Sequence, residues 1–196
     1  VVDGVVIPVD SVAGAEVGTE LAWSYADDYS LPRFFVINMM DRDNANFEKA
    51  LASVKEMTST RVLPIQIPLG EKADFKGVID LLENKAFLAN GDETGEIPSE
   101  YQDRVEEMRM ELIEAAAEGN DELLMKYLEG ETLTADEILE GLKASVDSVT
   151  FVPVLVSAGT ASVGMKSLLD AIVKLMPSPD QTSPMIAEGP QGEEEL

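Results

Sequence analysis

The chain has 196 residues, 45% hydrophobic and 27% charged, which is the composition of a folded protein with one core of ordinary size or one core plus a small insert. Its 38 acidic residues against 14 basic ones give a net charge of −24, and this argues against direct nucleic-acid binding by the segment, because phosphates need a basic face. Cysteine and histidine are both absent, so these residues hold no disulfide, thiolate nucleophile, zinc cluster or imidazole base.

The opening VVDGVVIPVD already reads as a core strand and carries no initiator methionine, as expected of a chain that begins inside a larger protein. No basic-then-apolar leader precedes it. No apolar run is long enough for a membrane helix, so no membrane partner is expected. Lack of cysteine fits the cytoplasm.

In chain order, Val5 to Val9, Phe34 to Ile37 and Val62 to Ile67 are short runs, apolar almost throughout, and Phe151 to Val156 is a fourth. Such runs predict strands buried on both faces, as in a parallel sheet covered by helices. Helical segments separate the first three. Glu16 to Tyr29 places Leu21, Tyr25 and Asp28 on one side, with Val17 and Trp23 elsewhere on the turn. Asn46 to Thr58 places Phe47, Leu51 and Val54 on one face. After the late strand, Lys166 to Met176 offers Leu168, Leu169, Ile172 and Leu175. This alternation is the grammar of an α/β domain.

Between Gly70 and Thr150 the pattern changes. Val78 to Leu82 and Lys85 to Leu88 predict a hairpin, and Asn90 to Gly95 is turn chemistry. Three helices follow. Ser99-x-x-Gln102 and Thr134-x-x-Glu137 read as capping boxes for the first and third, and Asn120 as the N-cap of the second. The segment reads as an α+β insert between the third and fourth sheet strands. The tail from Pro177 has four prolines and a glutamate run, as in a linker.

Chemistry concentrates at two strand ends. Val36-Ile37-Asn38-Met39-Met40-Asp41 runs from a buried strand into Asn-x-x-Asp, where open α/β sheets place ligands. An aspartate there can accept both the ring N–H and the exocyclic amine of guanine, and adenine lacks that donor pair. Asn and Asp are also ordinary turn formers and caps. Ser157-Ala158-Gly159 follows the fourth strand. Its small residues would let a backbone N–H approach a base carbonyl, although the same tripeptide also suits a strand-ending turn. Two such loops at successive sheet strands are a less probable accident than either alone.

Asp41-Arg42-x-x-Ala45-Asn46-Phe47 resembles the stretch after the guanine-reading motif of elongation factor G and its translational GTPase relatives. The resemblance continues in order through Gly14 to Glu20, Pro32-Arg33, Pro64-x-Gln66-Ile67-Pro68-Leu69-Gly70 and Phe75-x-Gly77-Val78-Ile79-Asp80-Leu81. It extends to Leu124-x-Lys126-Tyr127-Leu128-x-Gly130-Glu131, Ser157-Ala158, Gly164, Leu168 to Val173 and Pro177-Ser178-Pro179. It implies the C-terminal half of a P-loop-type G domain over 1–69, its insert over 70–149, the return to the G domain over 150–177, and a linker toward a further domain over 178–196. It implies GTP/GDP as the ligand, with Asn38, Met39, Asp41, Ser157, Ala158 and Gly159 at the base. It also implies that the parent acts on the ribosome in elongation.

The sequence departs from the family in several places. No G-x-x-x-x-G-K-[ST] loop is present, so phosphates and magnesium would be held by the other half, and no catalytic residue is expected here. Asp92-Glu93-Thr94-Gly95 matches a D-x-x-G switch, but it lies in a polar turn after the base motif rather than before it. Met39 stands where the family has lysine. A methionine can keep the stacking contact but cannot carry the charge that ties the loop to the phosphate loop. Gly159 replaces a larger apolar residue common in relatives, and the hairpin after Lys85 is shorter than in many of them. These departures suggest a divergent paralogue.

The helix from Ser99 repeats Tyr101, Val105, Met108, Leu112 and Ala115 as a core face. Beside it runs an acidic stripe of Glu100, Asp103, Glu107, Glu111 and Glu114. A solvated face accounts for it. The resemblance offers a second role, contact with the ribosomal stalk protein.

Overall fold

A computed structural model describes residues 2–89, 94–178, 180, 186–189 and 192–195. Four strands form a parallel sheet in the order β1-β2-β8-β3: β1 (Val5–Asp10), β2 (Arg33–Asn38), β8 (Phe151–Val156) and β3 (Arg61–Pro64). The two central strands are buried almost end to end, as their apolar runs predict. The edge strand β1 differs from the expectation. Ile7 and Val9 are buried, but Val6 and Pro8 face outward. Val5 N–H donates to Pro32 and Ser11 N–H to Asn38, so the odd-numbered residues bond toward β2. Pro8 therefore falls where its missing N–H costs no ladder bond.

The run Val62 to Ile67 is not one strand. It divides into β3 and β4 (Gln66–Leu69), and β4 opens a second, antiparallel sheet with β5 (Gly77–Asp80), β6 (Lys85–Leu88) and β7 (Thr94–Gly95) in the order β4-β5-β6-β7. Ile65 is the crossing point. Its N–H donates to Val154 in the first sheet, and its carbonyl accepts from Leu81 beside the second. The hairpin expected around Lys85 is β5–β6. Residues 90–93 of the expected turn, with Asp92 and Glu93 of the switch-like tetrapeptide, lie outside the described residues.

Helix α1 (Val17–Asp28) turns the side holding Leu21, Tyr25 and Asp28 outward. Leu21 is 50% and Tyr25 64% exposed, whereas Thr19 and Ala26 are buried. The anchor is Trp23, whose ring stacks on Phe35 at 5.5 Å and carries the Arg33 guanidinium at 4.3 Å. Helix α2 (Phe47–Met57) buries Phe47, Leu51 and Val54 as predicted, and the Asn46 side chain caps it by accepting from Lys49 N–H at 2.8 Å.

The insert adds α3 (Ser99–Glu118), α4 (Asp121–Leu128) and α5 (Ala135–Asp147). Asn120 caps α4, and the Thr134–Glu137 capping box forms on α5. The Ser99–Gln102 box does not form. Pro98 is the N-cap, which puts Ser99 already inside the first turn, where its hydroxyl has no capping role. After β8, α6 (Met165–Leu175) buries Leu168, Ala171 and Leu175. The tail, expected as a linker, contains a short antiparallel ladder, β9 (Ile186–Gly189) with β10 (Gly192–Glu195). One continuous apolar core takes in Phe35 and Ile37 of the parallel sheet together with Val78, Leu112 and Val146 of the insert.

Candidate base-reading site

Strands β2 and β8 are parallel neighbours, so their C-terminal ends deliver the two loops to the same place. The loops are joined through the backbone: Ser157 N–H donates to Ile37 at 2.9 Å and Met40 N–H to Ser157 at 3.3 Å. Met40 is fully buried and pegs its loop to the core. Its carbonyl accepts from Lys72 N–H at 2.8 Å.

Asn38 is the hub. Its Oδ1 accepts the Gly159 N–H at 3.0 Å and the Ser157 hydroxyl at 3.1 Å. A backbone N–H can only donate, so this contact fixes which side of the amide is oxygen. No partner for Nδ2 is found among the described residues, so its two hydrogens can serve an acceptor on a ligand. Asp41 is half-buried, and its Oδ2 accepts from Thr160 at a long 3.4 Å. That weak contact leaves the carboxylate available to stronger donors.

Met39 adopts φ +63°. This left-handed conformation costs a residue with a Cβ about 1–2 kcal/mol, so surrounding contacts must hold it. Its carbonyl accepts from the Ser11 hydroxyl at 2.8 Å and from Arg42 N–H at 3.1 Å.

The second loop is held through its own N–H groups. Those of Ser157, Ala158 and Gly159 all have internal partners: Ile37, Val163 and Asn38 Oδ1. Ala158 is fully buried and exchanges backbone bonds with Val163. In this conformation the loop braces Asn38. Nor does Gly159 need its glycine for space, since an added Cβ would sit 3.7 Å from Asn38 Oδ1, an ordinary contact.

Sequence reasoning missed Ser11 and Thr160. Ser11 is a serine in a turn after a strand, a position whose burial no local pattern reveals. Thr160 lies just beyond the expected tripeptide. Among the described residues no cluster of acidic side chains could hold a metal ion, and no helix is long and apolar enough to cross a membrane.

An open α/β sheet with two interlocked loops at adjacent strand ends, one presenting an amide and a carboxylate, has the architecture in which α/β domains hold ligands. Its relatives make the class specific. The model of the elongation factor Tu GTP binding domain matches residues 1–178, and the chain belongs to that family of translational GTPase domains. It is also similar to the crystal structure of ttk003000868 from Thermus thermophilus, with a TM-score of 0.84 and 31% identity over 97% of this chain. The match covers 30% of that longer chain.

Proposed function

We propose that this chain is the base-reading part of a ribosome-associated, cytoplasmic translational GTPase of the elongation factor G type, acting in tRNA–mRNA translocation. The observation that carries the reading is the locked Asn38 amide beside the Asp41 carboxylate. Guanine presents an acceptor at N7 and a donor pair at N1 and the exocyclic amine. Asn38 Nδ2 complements the acceptor, and Asp41 complements the pair. Met39 would lie against the base plane. Ser157, Ala158 and Gly159 would back Asn38, and a base carbonyl could share their N–H groups as bifurcated partners. The phosphate cradle and its magnesium would come from outside these 196 residues, so the chain by itself should not turn over GTP.

Met39 supplies the first test. A lysine at this position would restore a charged tether worth about 1.5–3 kcal/mol, or roughly tenfold or more in affinity. In the full-length parent, Met39→Lys should therefore tighten GDP at least about tenfold without altering preference for guanine over adenine. Equal affinities before and after the substitution, by fluorescent-nucleotide titration, would refute the assigned role of Met39.

A second reading is a degenerate G domain that serves as a ribosome- or stalk-binding module with little or no turnover. Met39 favours it, and so does the acidic face of α3. Glu100, Asp103, Glu107 and Glu111 are exposed there, although Glu114 is engaged by Arg61 at 3.3 Å. A basic partner domain should bind this face with marked salt sensitivity. Glu107→Lys with Glu111→Lys should weaken capture of the ribosomal stalk protein's C-terminal domain, and unchanged affinity in that double variant rules out the docking face.

A further inference from the structure

Ser11 has no assigned role in the base site, yet it bonds to the backbone of the first loop at both Asn38 and Met39. It lies in the turn after β1 and is fully buried. Its N–H donates to the Asn38 carbonyl at 3.0 Å, its hydroxyl donates to the Met39 carbonyl at 2.8 Å, and its own carbonyl accepts the Asn46 N–H at 2.9 Å. The hydroxyl contact falls on the residue held in the left-handed region, where a side chain bearing a Cβ does not rest without support.

We propose that Ser11 is a positioning residue of the nucleotide site. Its hydroxyl fixes the main chain of Met39 at φ +63° and so holds the thioether side chain where the base plane will lie. A lysine would be steadied from its far end by the phosphate loop. A methionine has no charged end to anchor, and the Ser11 clamp steadies it from the backbone instead. A contact already rigid in the free protein loses less entropy on binding. The inference rests on Met39 being a base contact.

The test is a double-mutant cycle in the full-length parent, read by GDP affinity and dissociation rate, with thermal unfolding of the nucleotide-free protein as the structural control. Ser11→Ala should weaken GDP about five- to tenfold when Met39 is present, mostly through faster dissociation. In a Met39→Ala background the same change should cost less than about twofold, because no thioether remains to position. Ser11→Cys, similar in shape with a weaker donor, should fall between wild type and Ser11→Ala, and it serves if the alanine variant does not fold. Equal losses in both backgrounds, or a lower melting temperature with unchanged affinity, would mean that Ser11 only supports the fold. Failure of the unsubstituted parent to bind GDP would overturn the base-site reading itself, a result distinct from an additive cycle with binding intact.

Discussion

Asp41→Ala is expected to weaken GDP binding by roughly 100-fold or more and to abolish discrimination between GDP and IDP. A carboxylate facing guanine accepts from N1–H and from the exocyclic amine. Hydrogen bonds to a charged group contribute about 1.5–3 kcal/mol each, and about 1.4 kcal/mol corresponds to tenfold in affinity. Hypoxanthine keeps the ring N–H but lacks the amine. The unsubstituted protein should therefore prefer GDP over IDP by roughly 10- to 100-fold, and Asp41→Ala should bring that ratio to about one. The fold should hardly notice the change. The bond that the Asp41 carboxylate accepts from Thr160, at 3.4 Å, is long, and Thr160 is exposed to water that can replace its partner. The signature is thus a large affinity loss at nearly constant melting temperature in the full-length parent. A GDP-to-IDP ratio that survives the substitution would show that another group reads the exocyclic amine.

The sequence carried those parts of the fold that local chemistry writes directly. Continuous apolar runs located β2 and β8, and caps at Asn120 and Thr134 located two helix starts. The place of Asn38 and Asp41 at and just past a strand end was legible from the apolar run before them. What escaped depended on partners remote in sequence. Val62 to Ile67 has the strand signal throughout, but the break at Ile65 arises because β8 competes for one side of the run and the insert for the other. The inner face of α1 was not legible because Leu21 and Tyr25 are more apolar than Thr19, yet the face is set by Trp23 finding Phe35 and Arg33. Ser157 and Asn38 stand 119 positions apart, so no local pattern could show that the second loop hydrogen-bonds the first loop's amide.

The second large effect is on stability. Gly141 sits in the middle of α5, where helix propensity alone makes Gly141→Ala favourable by about 1 kcal/mol. The structure reverses that sign. A Cβ at Gly141 would lie 2.1 Å from the Ala116 carbonyl oxygen and 2.8 Å from its carbon, both backbone atoms of α3 that cannot rotate away. At the end of the facing helix Gly119 is equally constrained, since its Cβ would lie 2.1 Å from the Gly141 carbonyl oxygen. The two helices meet backbone to backbone, with Ala115 and Ala116 as the small residues opposite and the Ser145 hydroxyl donating to the Ala115 carbonyl at 3.3 Å. Separating them strains a packed core, which typically costs about 1–3 kcal/mol and occasionally more. Gly141→Ala should therefore lower the stability of the chain by about 1–3 kcal/mol, and Gly141→Val by more. Because the insert and the parallel sheet share one core, the loss should appear as a shift of a single unfolding transition. Chemical denaturation decides the matter: a stabilised Gly141→Ala variant would mean that propensity governs this helix and that the α3–α5 contact is looser than described, and a separate early transition would mean that the insert unfolds on its own.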